Sequence, residues 1–410
     1  MTGAAQAQHM TSTLMAARAM PRLGHGAGFR VVAAAFLLAL AFSTLPTPLY
    51  PLYQQRDGFP TVVITVVFAA YAIGVVASIY LVGHVSDWLG RRRMALAAVL
   101  AEAVAAAVFL AWPDVPGLII ARFVGGVGIG ALTATATAHL AELRAVTHPG
   151  RDAGLFSSMV NMAGLGLGPV VSALLADYVT APLRTPYAIF LVLFAATAVA
   201  LKFVPETVSR NQDRPRYHPQ RVSVPPQARP VFWSAAAVAF AVNMFSGLVG
   251  ALAPTLLRGS FHEPSLLVGG LVAMSVFAAA AGAQLLLAGL PLRRQLFIGL
   301  GGLVLSLVAI PASVLTGSEL LFCVGTVVGG AGMGLGFRVA LAKAAAVAAP
   351  ELRGETLAGV FLAFYLGLAL PVLVVGLALT VLPSLLVLAL FSIVQLVILI
   401  WAGRRLVVAS

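Results

Sequence analysis

Twelve apolar runs dominate this chain and limit what it can become. They fall at 30–53, 60–82, 94–112, 117–140, 153–177, 186–204, 231–257, 265–290, 295–316, 319–343, 356–381 and 383–403. About 20 apolar residues cross a bilayer as a helix. A helix also closes its backbone hydrogen bonds within itself where no water is at hand. The breaks carry Pro, Gly or charge, as in "QQRDGFP", "WPDVPG", "RAVTHPGRD", "TAPLRTP", "RGSFHEPS" and "AAPELRGE". A soluble domain is about half apolar and a quarter charged. This chain is 60% hydrophobic and 9% charged, with a mean hydropathy of +1.01. No single water-soluble core hides that much apolar surface. The expected solvent is lipid, and the expected fold is an all-α membrane protein of twelve transmembrane helices.

Basic residues in short loops set the orientation of such a chain. Twenty of the 25 Lys and Arg fall in the leader, the even-to-odd loops and the tail, while only Arg56, Arg184 and Arg258 fall in the alternate loops. Both termini are therefore expected in the cytoplasm, in a bacterial-type inner membrane. The net charge of +12 sits in loops between apolar runs rather than on one soluble face, which excludes nucleic acid as a partner. Residues 1–29 read as a polar, Ala-rich leader without an acid. The first apolar run is long enough to be a retained span rather than a cleaved signal. The lone Cys323 lies in an apolar run and reads as a small buried hydrophobe.

Residues 205–229, "PETVSRNQDRPRYHPQRVSVPPQAR", form the one long polar stretch after the leader and read as an extended linker. It separates a first six-helix unit, 30–204, from a second, 230–410. The units resemble each other. "VGGVGIGA" from Val124 returns as "VGGAGMGL" from Val328, 204 residues later, and "GRDAGLF" from Gly150 returns as "GETLAGVF" from Gly354. A repeat in the same orientation predicts two pseudo-symmetric six-helix bundles with a binding site near mid-depth between them.

The loop between spans 2 and 3 reads "GHVSDWLGRRRMAL". Gly83 and Gly90 permit a tight bend, and Arg91, Arg92 and Arg93 hold the loop in the cytoplasm. Asp87 needs a positive partner, which the arginines or the helix dipole at the start of span 11, near Thr356, can supply. Gly83, Asp87, Gly90, Arg91 and Arg92 resemble the loop 2–3 signature of the major facilitator superfamily. Trp88 departs from it, standing where the family has a basic residue. The resemblance covers the whole chain and implies the major facilitator fold. It also implies that the Asp87 contact latches the two halves closed at the cytoplasmic side. The matching loop of the second half, "GLPLRRQ", keeps Arg293 and Arg294 but has no acid, so the latch is expected to be asymmetric.

Three more stretches carry the resemblance. "RFVGGVGIGA", Arg122 to Ala131, is similar to the family's span 4 motif, which implies a part for Arg122 in proton coupling. "AGLGLGPVVSALL" in span 5 resembles the antiporter motif through Gly164, Gly168 and Pro169, with Ser172 and Ala173 in place of its last two glycines. Pro169 can kink the span. Gly164 and Gly168 share a face one turn apart, where a neighbouring helix can come close. Pro48-Leu49-Tyr50-Pro51 resembles a short element of the twelve-helix drug:proton antiporters, and "PET" at Pro205–Thr207 is a further minor match. Together these imply the drug:proton antiporter branch.

Inside the spans the ionisable residues are few. A buried charge there is a functional hypothesis by default. Glu102 lies near mid-depth in span 3, where desolvation favours the protonated carboxyl that a proton carrier needs. It is expected to face Arg122 on the next antiparallel helix. Asp177, near the outer end of span 5, is a second candidate for the proton. Tyr50, Asn161, Asn243, Phe245 and Arg338 are the candidates for lining a substrate cavity. Span 1 has no acid between Val31 and Tyr53, which disfavours cationic drugs; a neutral or anionic substrate suits Arg122 and Arg338 as well. Scattered His, unpaired Cys and the absence of a nucleotide motif argue against an enzyme and against a pump.

The sequence thus reads as a secondary transporter, driven by the proton gradient without a cofactor or metal. It would act as a monomer in the lipid bilayer. Export of small amphipathic molecules in exchange for protons is the expected direction. Proton symport of a metabolite or sugar, and a non-transporting membrane sensor, are the alternatives.

Overall fold

In the computed structural model of the chain, each apolar run after the first closes into one helix, and the first is broken near its end. The structure describes residues 23–83, 85–147, 153–208, 217, 219, 224, 226–348 and 353–408. The helices are α1 (His25–Thr44), α2 (Thr61–Val82), α3 (Arg91–Ala111), α4 (Val115–Thr147), α5 (Ala153–Tyr178) and α6 (Thr185–Leu201). After the linker come α7 (Arg229–Ser260), α8 (Leu266–Leu286), α9 (Leu292–Thr316), α10 (Glu319–Val347), α11 (Arg353–Ala378) and α12 (Ser384–Val408). A 3₁₀ turn, Thr47–Leu49, and a short helix, Tyr50–Asp57, extend α1, and Ser86–Leu89 forms a single turn before α3. Eleven of these segments are long and apolar enough to cross a membrane. The twelfth, α6, has 17 residues, which at 1.5 Å per residue gives about 26 Å, the short end of a span.

Local chemistry sets the helix ends. Ser265 and Ser318 cap α8 and α10 by accepting from the backbone N–H of Val268 and Leu321, each at 3.3 Å. Gly317, at φ +64°, ends α9 in the left-handed conformation that residues with a Cβ avoid. Three helices depart from the sequence reading by five residues or more, α12 by ending at Val408 rather than 403. α4 runs seven residues past the expected end at 140, because "AELRAVT" continues as good helix former beyond the apolar run. α1 begins at His25 rather than 30. Most of the expected leader, residues 1–22, lies outside the described residues, as do residues 209–216, 218, 220–223 and 225 of the expected linker.

The two units pack alike. α1 lies against α4, α5 and α6; α4 lies against α2 and α3; α3 lies against α6. Each of those six contacts has its counterpart six helices later: α7 with α10, α11 and α12, α10 with α8 and α9, and α9 with α12. The repeated glycines explain the repeated geometry. A Cβ on Gly126 would strike the backbone of Tyr71 in α2, and one on Gly330 would strike the backbone of Val276 in α8. Small residues let these helices approach closely where lipid supplies no hydrophobic drive between them. The units meet along two symmetry-related seams, α2 with α11 and α5 with α8. Outward-facing side chains such as Ile73, Val104, Val192, Val308, Val374 and Val397 are exposed and apolar, as a lipid-facing surface requires.

Candidate functional site

Between the units lies a cavity of about 600 Å³. It is walled by α1, α2, α4 and α5 of the first unit and α7, α8, α10 and α11 of the second. Phe36, Phe68, Phe277, Phe337, Phe361 and Phe364 make it largely aromatic, and hydroxyls of Ser43, Thr44, Thr133, Ser157, Ser246 and Tyr365 line it between them. It extends to Ser157, Gln284, Ala288 and Leu341, near the ends of α5, α8 and α10 that carry the arginine-rich loops. The opposite end is closed. There Thr47–Leu49 packs on α5, α7 and α8. Gly376 meets Thr65, and Gly270 meets Pro169 and Ala173, across the two seams.

Of the residues expected to line a cavity, Asn161, Asn243 and Arg338 do so and Tyr50 and Phe245 do not. Asn243 donates from Nδ2 to the Phe364 carbonyl at 2.8 Å, tying α7 to α11. Successive helical residues are about 100° apart, so Phe245 points away from Asn243. It is fully buried against Gly329 of α10. Ser246, Val249 and Gly250 continue the Asn243 face. Tyr50 lies beyond the break in α1 and is buried in the closed end.

Arg122 lines the cavity while only 4% exposed. Its Nη1 donates to the Ser43 carbonyl of α1 at 2.5 Å, and its guanidinium lies 4.3 Å from the Tyr71 ring centre and 5.8 Å from that of Phe68. Nε has no partner. Glu102 is 1% exposed, and neither carboxyl oxygen has a partner. The expected pairing of Glu102 with Arg122 is not formed. Glu102 fits against Gly125 and Gly128 on one side of α4, whereas Arg122 leaves the helix toward α1 and α2. α4 therefore stands between Glu102 and the cavity. Asp177 is exposed at the end of α5 opposite the arginine-rich loops, away from the cavity, where its charge acts on Arg258 of α7. Arg258 lies beyond the apolar part of α7, and desolvation lowers its pKa, opposed by Asp177.

The span 5 motif forms the α1–α5 contact. A Cβ on Gly164 would meet Leu37 and Leu40, and one on Gly168 would meet Ala41 and Thr44. Pro169 lies inside α5 and cannot donate to the carbonyl of Leu165 four residues before it. Thr44 Oγ1 of α1 donates to that carbonyl at 2.9 Å. The proline's missing hydrogen bond is thus supplied by the neighbouring helix at the cavity wall.

At the arginine-rich end, Gly90 takes φ +106° and packs on the Glu206 carboxylate, a place open to glycine alone. Gly83 does not share the bend; its φ of −56° is helical. Arg91 pairs with Asp87 and, at 3.1 Å, with Glu142 at the end of α4; its Nη1 donates to Ser86 at 2.6 Å. Thr207 donates to Glu142. The backbone N–H groups of Arg92 and Thr207 donate to Glu206 at 3.4 and 3.2 Å. Arg92 Nη1 donates to the Lys202 carbonyl at 3.2 Å, and buried His139 Nε2 donates to the Pro205 carbonyl at 3.1 Å. The start of the expected linker is thereby pinned to the first unit rather than extended. The Asp87 side chain is 61% exposed and meets Arg91 in its own unit, not the start of α11 near Thr356. The cavity reaches toward this end. Glu142, Glu206 and His139 belong to this network, although nothing in the loop 2–3 pattern marks them.

Residues 31–371 match the family model described as Major Facilitator Superfamily. An uncharacterised MFS-type transporter of Methanocaldococcus jannaschii is 23% identical over 167 residues, 41% of this chain and 43% of that protein. The chloramphenicol resistance protein CraA of Acinetobacter baumannii is 31% identical over 110 residues, 27% of this chain and 26% of that protein. The arabinose-proton symporter of Bacillus subtilis is 37% identical over 76 residues, 18% of this chain and 16% of that protein. The matched segments span less than half the length of these curated relatives. Among solved structures, the nucleoside transporter NupG superposes with a TM-score of 0.69 at 12% identity, covering 93% of this chain and 99% of that one. That likeness is one of fold.

Proposed function

The chain belongs to the Major Facilitator Superfamily, and from that premise we propose that this secondary transporter exports small amphipathic molecules in exchange for protons, by alternating access. The observation that carries the reading is the cavity of about 600 Å³ between two pseudo-symmetric units, closed at one end and reaching the arginine-rich loops at the other. A volume in the range of about 300–1,000 Å³ suits a drug-sized ligand. Placing the arginine-rich loops in the cytoplasm, as the charge bias asks, makes this the cytoplasm-open state, from which an exporter takes its cargo. The exposed Asp87 carboxylate, held by Arg91 in this state, exchanges that partner for α11 when the units close at that end.

The direction rests on the span 5 packing of Gly164, Gly168 and Pro169 and on the partial likeness to a chloramphenicol resistance protein. Proton symport is the second reading, and the short likeness to an arabinose-proton symporter favours it. The proton is assigned first to Glu102, the carboxyl held within the spans. The test uses inside-out vesicles carrying an imposed proton gradient, with Asp87→Asn as control. Compound-specific collapse of the gradient, lost in the variant, supports exchange. No collapse with any compound, together with gradient-driven uptake into right-side-out vesicles, replaces it with symport.

A further inference from the structure

Charge is distributed unevenly around the cavity. Among the described residues, the side chains that line it include two guanidiniums, Arg122 and Arg338, and no carboxylate. Glu102, the buried carboxyl of the neighbouring α3, fits against Gly125 and Gly128 on the far side of α4. Neither arginine forms an ion pair among the described residues. Arg338 Nη1 donates to the Gln284 carbonyl at 2.8 Å, near the arginine-rich rim. Arg122 uses one nitrogen on a backbone carbonyl, rests on two aromatic faces and leaves Nε without a partner, although 96% of its surface is buried. A buried cation lacking a counter-ion is costly. A fixed carboxylate would remove that cost permanently; an anionic cargo would remove it only while bound. The guanidinium fork matches a carboxylate's two oxygens, and the surrounding phenylalanines suit an apolar body.

From this geometry we infer that the cavity takes amphipathic organic monoanions, a carboxylate on an aromatic or branched body. Arg338 receives the anion at the rim and Arg122 holds it at depth. This rests on the transport reading above and narrows it.

The test measures equilibrium binding to the full chain in lipid nanodiscs. The panel consists of aryl-alkyl carboxylates with their matched amides and amines, led by 4-phenylbutyrate, 4-phenylbutanamide and 4-phenylbutylamine. Carboxylates are expected to bind ~10-fold or more tightly than their amides, as a charge-assisted hydrogen bond implies, and amines least. Arg122→Gln removes the preference while leaving amide binding in place, which also shows that the variant is folded; Arg122→Lys keeps part of it. Arg338→Gln weakens carboxylate binding by a smaller factor. If Arg122→Gln does not fold, the wild-type ranking decides. No carboxylate binding, or amines and amides binding as well as carboxylates, overturns the inference. Efflux of cations or neutral compounds without carboxylate binding overturns it and leaves export standing. Carboxylate binding accompanied only by uptake sustains it and removes export.

Discussion

Gly128 and Gly332 hold matching places on α4 and α10, yet they close on different partners. Gly128 meets Ala98 and Glu102 of α3, whereas Gly332 meets Gly299 and Leu303 of α9. Arg122 likewise has Thr326 as its counterpart 204 residues on, and Thr326 turns its hydroxyl back to the Cys323 carbonyl of its own helix at 2.8 Å. At the arginine-rich end, Arg91 joins Asp87 and Glu142. In the second unit, the matching start of α9 carries buried Gln295, which donates to the Leu290 carbonyl at 2.8 Å. Packing has been kept in both units, while buried charge is kept in one. The shared glycines serve the scaffold, and the unshared charges mark where transport chemistry is to be sought.

Substitutions in matched pairs can break that comparison. The largest effect is expected for Glu102→Gln, which abolishes pH-gradient-driven transport, while Leu303→Met leaves it intact; vesicle flux under an imposed gradient reads both. Equal activity in the two variants would remove Glu102 from the proton path. Next, Arg122→Gln lowers cargo flux by ~10-fold, as loss of a charge-assisted contact implies. Thr326→Val changes flux less than about twofold, since its hydroxyl bonds only within its own turn. Gly126→Val and Gly330→Val should cost stability alike, about 1–3 kcal/mol each from overpacking, read as lowered thermal midpoints of the purified protein. An unequal pair would mean the two helix contacts differ more than their geometry indicates. The smallest effect belongs to Glu142→Gln. Its carboxylate is about a third exposed, so thermal stability falls by at most about 1 kcal/mol.

The sequence carried the helices well because apolar length, punctuated by Pro, Gly and charge, is the dominant constraint in lipid. Nine of the twelve expected runs agree with their helices to within four residues; α1, α4 and α12 depart by five or more, and in α4 helix formers continue past the apolar stretch. The site was legible where a residue type and a helical face coincide. Asn243 could be found because it is polar in an apolar run, but pairing it with Phe245 ignored the 100° step, and Ser246 was the residue to choose. Glu102 and Arg122 share similar depth on neighbouring helices, which suggested an ion pair. Which way each leaves its helix depends on Gly125 and Gly128 opening space for the carboxyl, a tertiary fact. The network of Arg91, of His139 and Glu142 on α4, and of Glu206 joins three segments distant in sequence, so no local pattern could reveal it.

Alternating access is the central claim, and cysteine labelling from either face tests it most directly. On a Cys323→Ser background, Ser158→Cys lies on the cavity wall toward the arginine-rich end, and Leu49→Cys lies in the closed end, where Leu49 is fully buried and does not line the cavity. A membrane-impermeant maleimide should modify Ser158→Cys from the arginine-rich face at rest and leave Leu49→Cys protected. An imposed proton gradient with transported cargo should lower the first reactivity and raise the second from the opposite face. Reactivities that stay fixed under every gradient and cargo, or a Leu49→Cys that is open at rest, would contradict the account.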